Sequence, residues 1–141
     1  MSTIPPVLDR VKALGYPVFV NGDWNLNITG LRCPERVANA FDDRICVSYK
    51  VNNMWKTETF EVTCDPGSPY LLKPINNAGC AVLAPGFYHG AYSIGLHRGQ
   101  YKALIQSGPV TVYRDDNRNN VIDMDAETVQ TGYFGINIHK R

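Results

Sequence analysis

A chain of 141 residues fits one domain, and at that length about two thirds of the unfolded surface can be buried, so folding requires neither a metal nor a disulfide. Apolar residues make up 44% and charged residues 19%, and a net charge of +1 gives no electrostatic argument for nucleic acid or a membrane surface as partner. No apolar run approaches the roughly 20 residues that cross a bilayer, and the start lacks the basic and apolar segments of a secretory signal, so synthesis in a cytosol is expected.

The first predicted element is a helix. Pro5-Pro6 opens it, Val7, Leu8, Val11 and Leu14 recur at helical spacing, and Gly15 can take the left-handed cap. After it the pattern is extended. Residues 17–20 and 24–31 flank Asn21-Gly22, a tight-turn pair, and Asn25-Leu-Asn-Ile-Thr alternates polar and apolar. Over 44–51, Ile45, Val47 and Tyr49 alternate with Arg44, Cys46, Ser48 and Lys50, and Asn52-Asn53 can return the chain into 55–63 as a hairpin. Shorter strands are expected at 70–73, 80–83, 101–106, 110–114 and 132–139. Many short strands with Gly and Pro between them predict a mainly β chain, a β-sandwich or barrel-like domain over 16–141 with an N-terminal helix over 1–15.

Three clusters bear on chemistry. The first is the acidic loop after residue 113. Asp115, Asn117, Asn119 and Asp123 fall at the alternating positions of a calcium loop, with Val121 where a backbone carbonyl contributes. Its sixth position is Asn120 rather than glycine and its twelfth is Ala126 rather than a bidentate carboxylate. The plain alternative is a solvated turn in which these side chains bond their own backbone. Calcium is thus a candidate ligand, and no other cofactor is expected.

The second is the terminal strand. Period-2 alternation sends Phe134, Ile136 and Ile138 to one face, and Tyr133, Gly135, Asn137 and His139 to the other. A histidine there, beside a glycine that leaves room, suits a general base. The third cluster is residues 85–99, where Tyr88, His89, Tyr92, His97 and Arg98 lie among four glycines. That mixture suits a groove for a polar ligand, or simply a glycine-kinked strand with aromatic packing. The cysteines (Cys33, Cys46, Cys64, Cys80) form no C-x-x-C pair, which argues against zinc and for reduced thiols. There is no G-x-S-x-G, phosphate-cradling loop or H-E-x-x-H.

Gly79-Cys-Ala-Val-Leu-Ala-Pro-Gly-Phe-Tyr-His-Gly-Ala-Tyr-Ser-Ile-Gly-Leu-His-Arg-Gly-Gln-Tyr-Lys-Ala-Leu, then Gly108-Pro-Val-Thr-Val-Tyr-Arg-Asp-Asp-Asn-Arg, then Thr131-Gly-Tyr-Phe-Gly-Ile-Asn-Ile-His139 resemble a family of phage and bacterial proteins that modify peptidoglycan, relatives of L,D-transpeptidase catalytic domains. Asp23-Trp-Asn-Leu-Asn-Ile-Thr-Gly-Leu-Arg and Ala40-Phe-Asp-Asp-Arg share the likeness, which covers about residues 15–141. The resemblance implies a β-rich fold and acyl transfer on peptidoglycan stem peptides. A cysteine thiolate attacks a peptide carbonyl, a histidine serves as base and backbone N–H groups hold the oxyanion. Only Gly135, Ile138 and His139 match that pattern. The family's Ser-x-Gly-Cys segment would fall beyond Arg141, and of the four thiols present Cys46 alone is worth considering.

Two expectations follow. On the first, the chain is a cell-wall-directed domain recognising stem peptides, made in a bacterial cytoplasm and carried in a virion or delivered to the wall. His139 is its base, residues 88–98 form its groove, and the chain is either a truncated enzyme or a scaffold that has given up catalysis. On the second, it is a non-catalytic virion structural or adhesive module, with other virion proteins as partners and calcium in the acidic loop. Neither expectation includes nucleic acid or membrane insertion.

Overall fold

The computed structural model describes residues 3–34, 41–65, 71–74, 79–115 and 128–139. Helix α1, Pro6–Ala13, starts where proline needs no N–H partner, and only Leu8 among its residues is fully buried. It ends in a Schellman motif: the Gly15 N–H (φ +87°) donates to the Lys12 carbonyl at 2.9 Å and the Tyr16 N–H to the Val11 carbonyl at 3.2 Å. Leu14, expected on the apolar face, is 58% exposed. No helix among the described residues is long and apolar enough to cross a membrane.

The chain divides into two compact units, residues 1–64 and 65–141. In the first, β1 (Asn27–Leu31), β2 (Asp43–Val51) and β3 (Met54–Val62) form an antiparallel sheet in that order. The predicted hairpin is present: Asn52 and Asn53 both sit at positive φ (51° and 63°), the I′ geometry that matches strand twist. Asp23 fastens the turn by accepting both of its N–H groups, at 2.7 and 3.0 Å. Ser48 meets Thr57 and Cys46 meets Thr59 on one face, so the polar face read from the sequence holds. Asp43, at the start of β2, accepts the Cys33 N–H at 2.7 Å and the Cys64 N–H at 2.8 Å, tying the segments that follow β1 and β3 to one buried carboxylate.

Residues 17–20 are not a strand. Their place is taken by a side chain: Asn27 Oδ1 accepts the Phe19 N–H at 2.8 Å and its Nδ2 donates to the Phe19 carbonyl at 2.9 Å, which is what a ladder neighbour would do. Trp24, at φ 58°, delays β1 to Asn27 and stacks on Tyr49 at 4.9 Å. Asn21-Gly22 is thus a bend and not a hairpin turn.

In the second unit, β4 (Cys80–Leu83), β7 (Val110–Asp115) and β8 (Gln130–Gly132) form one antiparallel sheet, and β5 (Tyr92–His97) pairs with β6 (Tyr101–Gln106) as a hairpin. Its core is Ala91, Val110 and Val112, packed by Ala81, Leu83, Tyr88, Tyr92, Phe134 and Ile136. Leu71 and Leu72 are helical rather than extended, in a Leu-Leu-Lys run without the β-branched residues that favour strands. The described strands make three small sheets, none closed into a barrel, and the chain is mainly β with a short N-terminal helix.

Candidate functional site

The terminal segment is not the continuous strand expected over 132–139. β8 ends at Gly132, residues 133–137 are irregular with Gly135 at φ +67°, and Ile138 then pairs with Leu104, a β6 residue in a different sheet. The Leu104 and Ile138 amides exchange hydrogen bonds of 3.0 and 2.9 Å. Gln106 makes the crossing feasible. Its Oε1 accepts the Phe134 and Ile136 N–H groups, both at 3.1 Å, and its Nε2 donates to the Gly132 carbonyl at 2.8 Å and the Gly108 carbonyl at 3.0 Å. One side-chain amide uses both donors and two acceptor positions on the backbone at and beyond the end of β8 and on Gly108.

The crossing brings together residues far apart in sequence. In the β5–β6 register His97 lies directly opposite Tyr101, across a turn in which Arg98 and Gly99 take positive φ (53° and 69°). Asn137 and His139 flank Ile138 and share the face opposite to it. The His97 and His139 rings stack at 3.9 Å between centroids, 13° from parallel. Tyr101 Oη lies 3.1 Å from His139 Nδ1. Asn137 Oδ1 accepts the Gln106 N–H at 3.0 Å, which turns its Nδ2 toward His97 Nδ1 in a longer contact of 3.4 Å. His97 titrates below the ordinary imidazole value because of burial first, then His139, then Arg98. An open hollow of about 390 Å³, lined by Ile94, Lys102, Ala103, Leu104, Ile138 and His139, adjoins the pair.

Three of the sequence-read residues, Asn137, His97 and His139, therefore meet. The others do not join them. Tyr88 donates to the Ala84 carbonyl at 2.6 Å and packs on the core, as does Tyr92. His89 stacks on Phe87 at 6.0 Å, Arg98 is at the exposed hairpin tip, and Tyr133 is 67% exposed. Gly135 serves the crossing through its backbone angle. Tyr101 and Gln106 were missed by the sequence reading. Treating Arg98-Gly99 as a turn would have put Tyr101 opposite His97, and a glutamine following the apolar run Ala103-Leu-Ile105 was the signal for the second.

Asp115, the first position of the acidic loop, ends β7 and is buried, whereas Asn117, Asn119 and Asp123 lie outside the described residues. Among the described residues no three His, Cys, Asp or Glu side chains converge as metal ligands. Cys80 faces Asp115 across β4 and β7, and burial with that carboxylate pushes its thiol up to about 11 despite Arg114 and the Ala81 amide, the opposite of an activated nucleophile. Cys46 is buried on the polar face of β2 beside Thr59. No protein family, curated protein or solved structure matches the chain.

Proposed function

We propose that the chain is a cell-wall-directed domain of the L,D-transpeptidase kind that binds peptidoglycan stem peptides, with His139 as the general base. The observation that supports this reading is the meeting of His97, Tyr101, Asn137 and His139 beside an open hollow. Those side chains come from segments that also carry the resemblance, one over 79–104 and one over 131–139. An imidazole held against a phenol at the edge of a hollow is an arrangement that suits a base. Neither Cys80 nor Cys46 fits the part of nucleophile, so binding and proton transfer are the functions assigned to these residues.

The test is titration of the isotope-labelled protein with purified muropeptides bearing tetrapeptide stems. The expected result is saturable shifts centred on His97, Tyr101 and His139, with affinity about tenfold weaker in His139→Ala, equivalent to about 1.4 kcal/mol. Absence of both binding and cleavage over a range of stem peptides sinks the reading.

A further inference from the structure

Strand β3 is nine residues long and stands last in its sheet, and among the described residues no strand pairs with its outer side. Its side chains lie largely in solvent, with Met54 59% and Phe60 51% exposed. A long open edge is a template for another strand, and natural edges of this kind are ordinarily guarded by charged side chains. Here the two central charges, Lys56 and Glu58, are of opposite sign and lie two residues apart on one face.

Backbone direction decides which pairings are open. The two-residue Asn52-Asn53 turn makes Val51 and Met54 a hydrogen-bonded pair, and such pairs alternate along β2 and β3. Lys56, Glu58 and Phe60 therefore turn their backbone groups to β2, and Thr57 and Thr59 turn theirs to the open side. In keeping with this, the Lys50 carbonyl, opposite Trp55, points away from β3 and accepts the Trp24 N–H at 2.9 Å. A second, antiparallel β3 can be centred on Thr57, each Thr57 exchanging both hydrogen bonds with the other. Lys56 then faces Glu58 of the second copy twice over, at the closely spaced pairs, and Met54 faces Phe60 twice over. Centring one residue earlier or later opposes Lys56 to Lys56 or Glu58 to Glu58, which is unfavourable. Centring on Trp55 or Thr59 sets both charges against uncharged residues.

We propose that β3 is a self-association edge, pairing antiparallel about Thr57 with β3 of a second copy of this chain, so that two three-stranded sheets join into one. The two Lys56–Glu58 pairs fix the register, and the Met54–Phe60 pairs cover the exposed apolar side chains, a thioether against an aromatic ring. The inference is independent of the stem-peptide reading, because β3 shares no residue with the His139 cluster.

Sedimentation velocity of the full chain, at concentrations up to about 1 mM, reads the association. A reversible monomer–dimer equilibrium is expected, weak because edge pairing buries little area. Lys56→Glu and Glu58→Lys should each weaken the dimer by about tenfold or more, since both attractions become repulsions. An equimolar mixture of the two variants should recover the dimer, because every Glu of one chain then faces a Lys of the other. Glu58 also interacts with Tyr49, but that loss is the same in Glu58→Lys alone and in the mixture, so recovery reports the pairing between chains. Thr57→Pro removes an outward N–H and leaves the β2–β3 ladder whole, so the dimer should be lost while the far-ultraviolet dichroism is kept. The proposal is overturned if the parent chain is monomeric over the whole range, if the mixture associates no better than its components, or if Thr57→Pro dimerises as the parent does.

Discussion

At the scale of single residues, side-chain amides bond backbone groups where the strands end or are absent. Gln106 satisfies four backbone groups across 108–136, and Asn27 does the same for Phe19. Replacing Gln106 by Leu keeps the bulk and leaves two N–H groups and two carbonyls unpartnered by this residue. Since a buried unsatisfied group costs about 1–3 kcal/mol and water can reach part of this site, a loss of about 2–4 kcal/mol is expected in urea unfolding. A loss under about 0.5 kcal/mol would show that packing alone holds residues 132–136. Cys80 gives a second residue-level prediction. With its thiol near 11, roughly one part in a thousand is thiolate at pH 8. Cys80 should therefore be alkylated in the native state more slowly than Cys33, a thiol of similar exposure, as read by mass spectrometry. Labelling of Cys80 at the rate of an unfolded control would remove the burial argument.

At the scale of elements, two glycines are required for opposite reasons. Gly135 stands at φ +67° with nothing within 4 Å of the place a Cβ would occupy, so Gly135→Ala meets backbone strain alone, about 1 kcal/mol. In β5, Gly95 has an ordinary φ, but a Cβ there would come 2.8 Å from Ile105 Cγ1. Gly95→Ala must displace that side chain and is expected to cost about 1–3 kcal/mol. The discriminating measurement adds Ile105→Ala, which removes that γ carbon, to each variant. Relief should appear with Gly95→Ala only, and equal relief in both contradicts the assignment. The elements most readable in the sequence were those closed by local turn chemistry: α1 with Gly15, and β2–β3 with Asn52-Asn53. Residues 17–20 looked like a strand because they precede a tight-turn pair, and 133–137 because their side chains alternate. Alternation reports which face a residue lies on and not whether a neighbouring backbone is present to pair with it.

At the scale of the whole molecule, stability should depend on the ionisation of His97. His97 is held below the ordinary imidazole value by burial, His139 and Arg98. The unfolded chain therefore binds this proton more readily than the folded one, and stability rises with pH up to about 6.5, above which the contribution is complete. Urea midpoints should fall as pH is lowered from about 6.5 toward 5, and His97→Gln should flatten that limb. An equally steep limb in the variant assigns the effect to other groups. By itself the sequence determined the mainly β character, the capped helix, the β2–β3 hairpin and the placing of Asn137 and His139 on one face. These depend on interactions within a few residues or on the period of a strand. Only the tertiary structure decided that the last segment changes sheets and that His97 and Tyr101 are the neighbours of His139. The reason is physical: residues 97 and 139 meet because Gln106 holds irregular backbone across the gap, and no local spacing encodes a contact made through a third residue.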